Sequence, residues 1–164
     1  MEAFEAANDM WENSDASLEH PLIMTLRKGR RPFNRAAAAF AMQMLKTPGI
    51  IRALERTVED ETEHQRVRGE AAEALAHGHR RKSHDVLLRG LGDPRKEVRF
   101  WCAFSLGEMG ERRAIPALKR LAETDKRVIK GFHSVAKEAF DALETIQSRN
   151  TGRRRKDSCV FCRG

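Results

Sequence analysis

Val98-Arg99-Phe100-Trp101-Cys102-Ala103-Phe104-Ser105-Leu106-Gly107 is one of four copies of a single pattern. Val67-Arg68-Gly69-Glu70-Ala71-Ala72-Glu73-Ala74-Leu75-Ala76, which begins 31 residues upstream, repeats its Val-Arg opening, its small residues and its small-Leu close. Asn34-Arg35-Ala36-Ala37-Ala38-Ala39-Phe40-Ala41-Met42 fits the frame 33 residues before that. Val135-Ala136-Lys137-Glu138-Ala139-Phe140-Asp141-Ala142-Leu143 fits it 37 residues after Val98, with Ala136 in place of the arginine. A shorter apolar segment precedes each copy: Leu22–Leu26, Ile50–Val58, Val86–Leu91 and Ile115–Leu121. Gly and Pro punctuate the chain, and between them the apolar spacing is i, i+3, i+4, i+7, which is helical. No segment alternates convincingly; Tyr is absent and Val sparse, which disfavours sheet. Helix, turn, longer helix and loop, four times over, predict an all-α, right-handed α-solenoid of about four helix pairs. One pair cannot bury its apolar stripe alone, so stacking supplies the stability.

Asp93-Pro94, Val98-Arg99, Leu106-Gly107-Glu108-Met109-Gly110 and Ala114-Ile115-Pro116-Ala117-Leu118 together resemble a HEAT-like repeat of the type named after phycobilisome lyases. The likeness is strong over residues 84–122, fair over 50–83 and 115–146, and weak over 17–49. It implies the helix-pair fold and says little about function, because such repeats occur in scaffolds, adaptors, pigment lyases and a few enzymes. Within the resemblance, Asp93 and Arg99 look like a ladder of turn acid to helix arginine, which gives Arg35, Arg68 and Arg99 a structural role.

With 164 residues the chain is one ordinary domain in size. Its organisation is expected to be a capping extension over 1–16, with Phe4 and Trp11 covering the end of the stack, a solenoid over 17–148, and a flexible basic tail over 149–164 carrying a CxxC. The apolar fraction of 40% against 34% charged residues suits an elongated repeat protein whose units touch only their neighbours. The longest apolar run, Ala36 to Met42, is far short of a membrane span, and the acidic N-terminal stretch is not a signal peptide. Three cysteines make no disulfide framework, so a cytoplasmic protein is expected.

Catalytic motifs are missing. The deoxyhypusine hydroxylases resemble this architecture and ligate iron through His-Glu dipeptides, but the six histidines here precede Pro21, Gln65, Gly78, Arg80, Asp85 and Ser134. No residue-by-residue match to the alkylpurine DNA glycosylases is found, and no nucleotide loop or nucleophile elbow appears. The expectation is therefore no enzyme, with a subunit of a lyase or of a DNA-repair-type HEAT enzyme as the alternative, and no cofactor. Cys159 and Cys162 have half of a zinc-site spacing without the other half.

Two surfaces are candidates. Phe100, Trp101 and Phe104 occupy helix positions where the second and fourth copies carry Gly69, Glu70, Glu73 and Lys137, Glu138, Asp141. Either they form a concave patch for a protein partner, or the inserted stretch Val128–Ser134, with Phe132, covers them. The net charge of +7 and the basic loops give a second candidate, an anion-binding edge of Arg80, Arg81, Lys82, Arg112, Arg113, Arg153, Arg154 and Arg155. The functional expectation is a non-catalytic protein-binding scaffold or adaptor using the concave face. The alternative is a nucleic-acid-binding module using the basic edge and tail.

Overall fold

The computed structural model describes residues 16–76 and 81–157, with side chains from 17 to 76 and from 83 to 149. Phe4, Trp11, Arg80, Cys159 and Cys162 lie outside the described residues, as do the side chains of Arg81, Lys82, Arg153, Arg154 and Arg155. Eight α-helices form four pairs among the described residues: α1 (Glu19–Lys28) with α2 (Pro32–Ala41), α3 (Pro48–Glu59) with α4 (Gln65–Leu75), α5 (Arg81–Gly90) with α6 (Lys96–Met109), and α7 (Ile115–Thr124) with α8 (Val135–Asp157). Proline sits in the first turn of α2, α3 and α7, where its missing N–H costs nothing. Gly110, at φ 67°, ends α6 in the left-handed conformation that closes a helix without a Cβ clash. Helix α8 runs on to Asp157, past Arg149 where the sequence placed the start of the tail, so Arg153, Arg154 and Arg155 lie on a helix.

Each pair packs on the next, making an all-α solenoid. The second helices α2, α4, α6 and α8 pack against one another more extensively than the first helices do. The buried Val67, Val98 and Val135 begin α4, α6 and α8, and Ala71, Ala72, Cys102, Ala103, Ala139 and Ala142 keep the contacts thin. Helix α6 approaches the α8 backbone closely at Gly107, where an added Cβ would lie 2.8 Å from Ala142 Cα.

Three buried or half-buried arginines tie the pairs together in one geometry. Arg35 donates to both carboxylate oxygens of Glu63 at 2.7 Å and to the Gly29 carbonyl at 2.7 Å. Arg68 donates to the Val58 carbonyl at 2.9 and 2.7 Å and to the Asp93 carboxylate. Arg99 donates to Asp125 Oδ2 at 2.8 Å and to the Asp93 carbonyl. Each guanidinium thus holds a carbonyl at or just beyond the end of its own pair's first helix and, across the pair boundary, an acid in the next pair's turn. The sequence placed Asp93 opposite Arg99. Its carboxylate instead meets Arg68, one pair earlier, and Arg99 takes only its backbone oxygen. Ala136, buried on α8, carries no such rung.

Candidate partner-binding face

Four second helices side by side present equivalent positions as rows. One row reads Ala37, Glu70, Trp101, Glu138 and the next reads Phe40, Glu73, Phe104, Asp141, so apolar and acidic residues alternate from pair to pair. Phe40 is 54% exposed, while Trp101, Phe104, Glu70 and Glu73 are half-buried. The indole of Trp101 lies against α4 because Gly69 leaves room for it: a Cβ there would be 2.5 Å from Trp101 Cδ1.

Phe100 has a different fate from its neighbours. It is 1% exposed and packs with Ile129, Val135 and Leu121. Its ring lies 5.1 Å from Trp101, 5.6 Å from Phe132 and 5.3 Å from His133, centre to centre. The stretch between α7 and α8 folds over it, pinned by Ile129 N–H donating to the His133 carbonyl at 3.1 Å and Val135 N–H donating to the Arg127 carbonyl at 3.0 Å. The expectation that Phe100 contacts a partner is therefore corrected: it is the floor of the cluster. Trp101 and Phe104, 5.7 Å apart edge to face, and the exposed Phe132, 5.2 Å from Trp101, form the part that solvent reaches.

The acids of this face have close side-chain partners at one step, and at the other only a distant one. On α8, His133 pairs with Glu138 at 2.8 Å and Lys137 pairs with Asp141. On α4, Glu70 has only Arg66, 3.8 Å away, whose guanidinium also lies over the Phe33 ring. Glu73 has no side-chain hydrogen bond or ion pair among the described residues. Burial pushes both carboxyls above the usual carboxylate range; Arg66 opposes this at Glu70, and the charge of Glu70 adds to it at Glu73.

The basic edge is represented by two described side chains. Arg112 is exposed. Arg113 donates to Asp85 at 2.8 Å and to Glu111 at 2.9 Å, and Glu111 also meets His84 at 2.5 Å. The hydrogen bond from Arg113 is the largest of the influences that hold the Glu111 carboxyl down at about 2. Arg113 therefore serves the joint between the third and fourth pairs. No group of three His, Cys, Asp or Glu side chains suited to a metal occurs among the described residues, and no described helix is long and apolar enough to cross a membrane. Cys102 is buried, and desolvation raises its thiol far above reactive values.

The repeat architecture agrees with the comparisons. A family model described as HEAT repeats matches residues 61–131. Over those residues the chain is built of HEAT-like repeats. A solved structure of the complex of CpcE and CpcF of phycocyanin lyase from Nostoc sp. PCC7120 is similar to it, with a TM-score of 0.65 and 26% sequence identity. That likeness covers 80% of this HEAT-like chain and 54% of the matched chain, so the present chain spans about half of the other's length. No curated protein matches. The expectation of a protein outside enzymology is corrected by this finding, since the matched structure is a lyase complex and points to enzyme-type activity. It is also a complex of two proteins.

Proposed function

We propose that this chain is a HEAT-like component of an enzyme-type assembly and holds another protein against its second-helix face at Trp101 and Phe104. The observation that carries this reading is the aromatic cluster itself. Phe100 anchors it from below while Trp101, Phe104 and Phe132 stay open to solvent. Rings held in place before binding lose little freedom on docking, which is the pattern of an interface hot spot. The likeness to a two-protein lyase complex supports the same reading.

The test is affinity capture with the intact chain and with a Trp101→Ala/Phe104→Ala variant, from nuclease-treated and untreated lysates. Both chains should show the same helical circular dichroism, the native chain should retain the same protein after nuclease treatment, and the variant should lose it by more than tenfold. Capture that vanishes with nuclease, or that is equal for the two chains, contradicts the reading. A narrower version, in which the bound protein is the substrate of a pigment lyase, rests on the lyase likeness alone. It requires the chain to accelerate gain or loss of a protein-bound pigment, and no acceleration removes it.

A further inference from the structure

The two rows on the second-helix face place a charge requirement on whatever docks there. Glu70 and Glu73 stand on α4, one helical turn apart, and their flanks are apolar on both sides. Ala37 and Phe40 lie toward α2, and Trp101 and Phe104 toward α6. The corresponding acids on α8 have their own side-chain partners, His133 for Glu138 and Lys137 for Asp141, whereas α4 supplies only Arg66 at 3.8 Å, on Glu70 alone. We propose that the face binds a basic amphipathic helix of a partner protein, with Lys or Arg side chains seated on Glu70 and Glu73 and apolar side chains on Phe40 at one end and on Trp101 and Phe104 at the other. This inference rests on the concave-face reading above and adds the partner's chemistry.

Spacing follows from the scaffold. Packed helices lie 8–10 Å apart axis to axis, so the line from Phe40 over Glu73 to Phe104 crosses two spacings, about 16–20 Å. An α-helix rising 1.5 Å per residue covers that distance in about 11–13 residues. The partner helix therefore carries apolar residues about 12 apart with its basic residues midway. A cation arriving between half-buried carboxylates gains more than at an open surface, because the surrounding rings exclude water from the pair. In the unbound chain the two carboxyls are a burden. Both titrate above their ordinary values in the fold, so ionising them above that range works against stability.

The experiment is isothermal titration calorimetry of the full chain with a synthetic helical peptide of about 21 residues built to that spacing, with Arg and Lys at its centre. A control peptide carries Glu in their place. The basic peptide should bind and the acidic one should not. Glu70→Gln/Glu73→Gln should weaken the basic peptide about tenfold or more, while leaving the melting temperature of the free chain unchanged or raised. Absence of binding by the basic peptide at millimolar concentration overturns the proposal, as does equal binding of both peptides. If Trp101→Ala/Phe104→Ala abolishes binding and the Gln pair does not, the basic-partner inference falls and the concave-face reading stands. Insensitivity to both pairs, together with equal capture of the natural partner, removes both.

Discussion

Asp93→Ala should lower the stability of the chain by about 3–5 kcal/mol, the usual consequence of stranding one member of a buried ion pair. The Asp93 and Arg68 side chains are 6% and 4% exposed, so water cannot replace the lost carboxylate. Arg68 keeps its two bonds to the Val58 carbonyl, but its charge is left in the seam between the second and third pairs. The substitution also removes Asp93 Oδ1 as acceptor for the Arg95 N–H at 2.8 Å, which opens the turn leading into α6. For a domain of this size such a loss corresponds to a fall in Tm of roughly 6–20 °C. Urea unfolding followed by helical circular dichroism checks the expectation. A loss below about 1 kcal/mol would put the pair with exposed ones such as Arg89–Glu59, whose side chains are 62% and 43% exposed. Replacing both members, Arg68→Met with Asp93→Leu, should restore most of the stability, since it leaves no charge behind. Acid acts on neighbouring rungs in a definite direction. Burial opposes ionisation of Asp125 and Glu63, yet hydrogen bonds to Asp125 from Arg127 and Arg99, and to Glu63 from Arg35, outweigh it and hold both carboxyls below their ordinary values. Their contribution is complete above the ordinary carboxylate range and is lost as pH falls through the lower folded values.

The second large effect concerns the floor of the aromatic cluster. Phe100→Ala should cost about 3–5 kcal/mol, as removal of a fully buried aromatic ring does. The side chain is 1% exposed, and its loss empties the space between Trp101, Ile129 and Val135 that fixes the stretch between α7 and α8. Trp101→Ala should cost less, about 1–2 kcal/mol, because the indole is only partly buried. Phe40→Ala, at a site 54% exposed, should stay within about 0.5 kcal/mol. Denaturant midpoints for the three variants give the order directly. If Phe100→Ala is no worse than Trp101→Ala, the inserted stretch does not cover Phe100, and the division into floor and contact surface is wrong.

The sequence carried the fold because the same helix pair is written four times. Val67, Val98 and Val135 mark the buried start of successive second helices, and the prolines mark first turns. The ladder was legible in kind but not in pairing. Arg99 and Asp93 are six residues apart and invite a local pair, whereas the acids that Arg35, Arg68 and Arg99 reach are 28, 25 and 26 residues downstream, in the next pair. Phe100 was legible only as one of two alternatives, a contact residue or a residue covered by the inserted stretch Val128–Ser134, for a related reason. The repeat frame treats its position as equivalent to Gly69 and Lys137, yet the extra residues before α8 fold back over α6 and bury it. The longer interval to the fourth copy, 37 residues instead of 31, was the available signal. The sparsely partnered acids of α4 had no sequence signature, because Glu138 and Asp141 look the same until His133 and Lys137 are seen beside them. The enzymatic association was legible only as an alternative, through the resemblance of the repeats to those named after phycobilisome lyases. It comes from likeness of the fold to a lyase complex and not from any residue cluster found here.

The central claim is that partners dock on the second-helix layer and not on the first. Site-specific photo-crosslinking addresses it most directly, with benzoylphenylalanine placed at Phe40 or Phe104 on the second helices and at Arg89 or Lys119 on the first, all four exposed or half-exposed. The account predicts covalent partner adducts from positions 40 and 104 and none from 89 or 119. Adducts from 89 or 119, with none from 40 and 104, would contradict it.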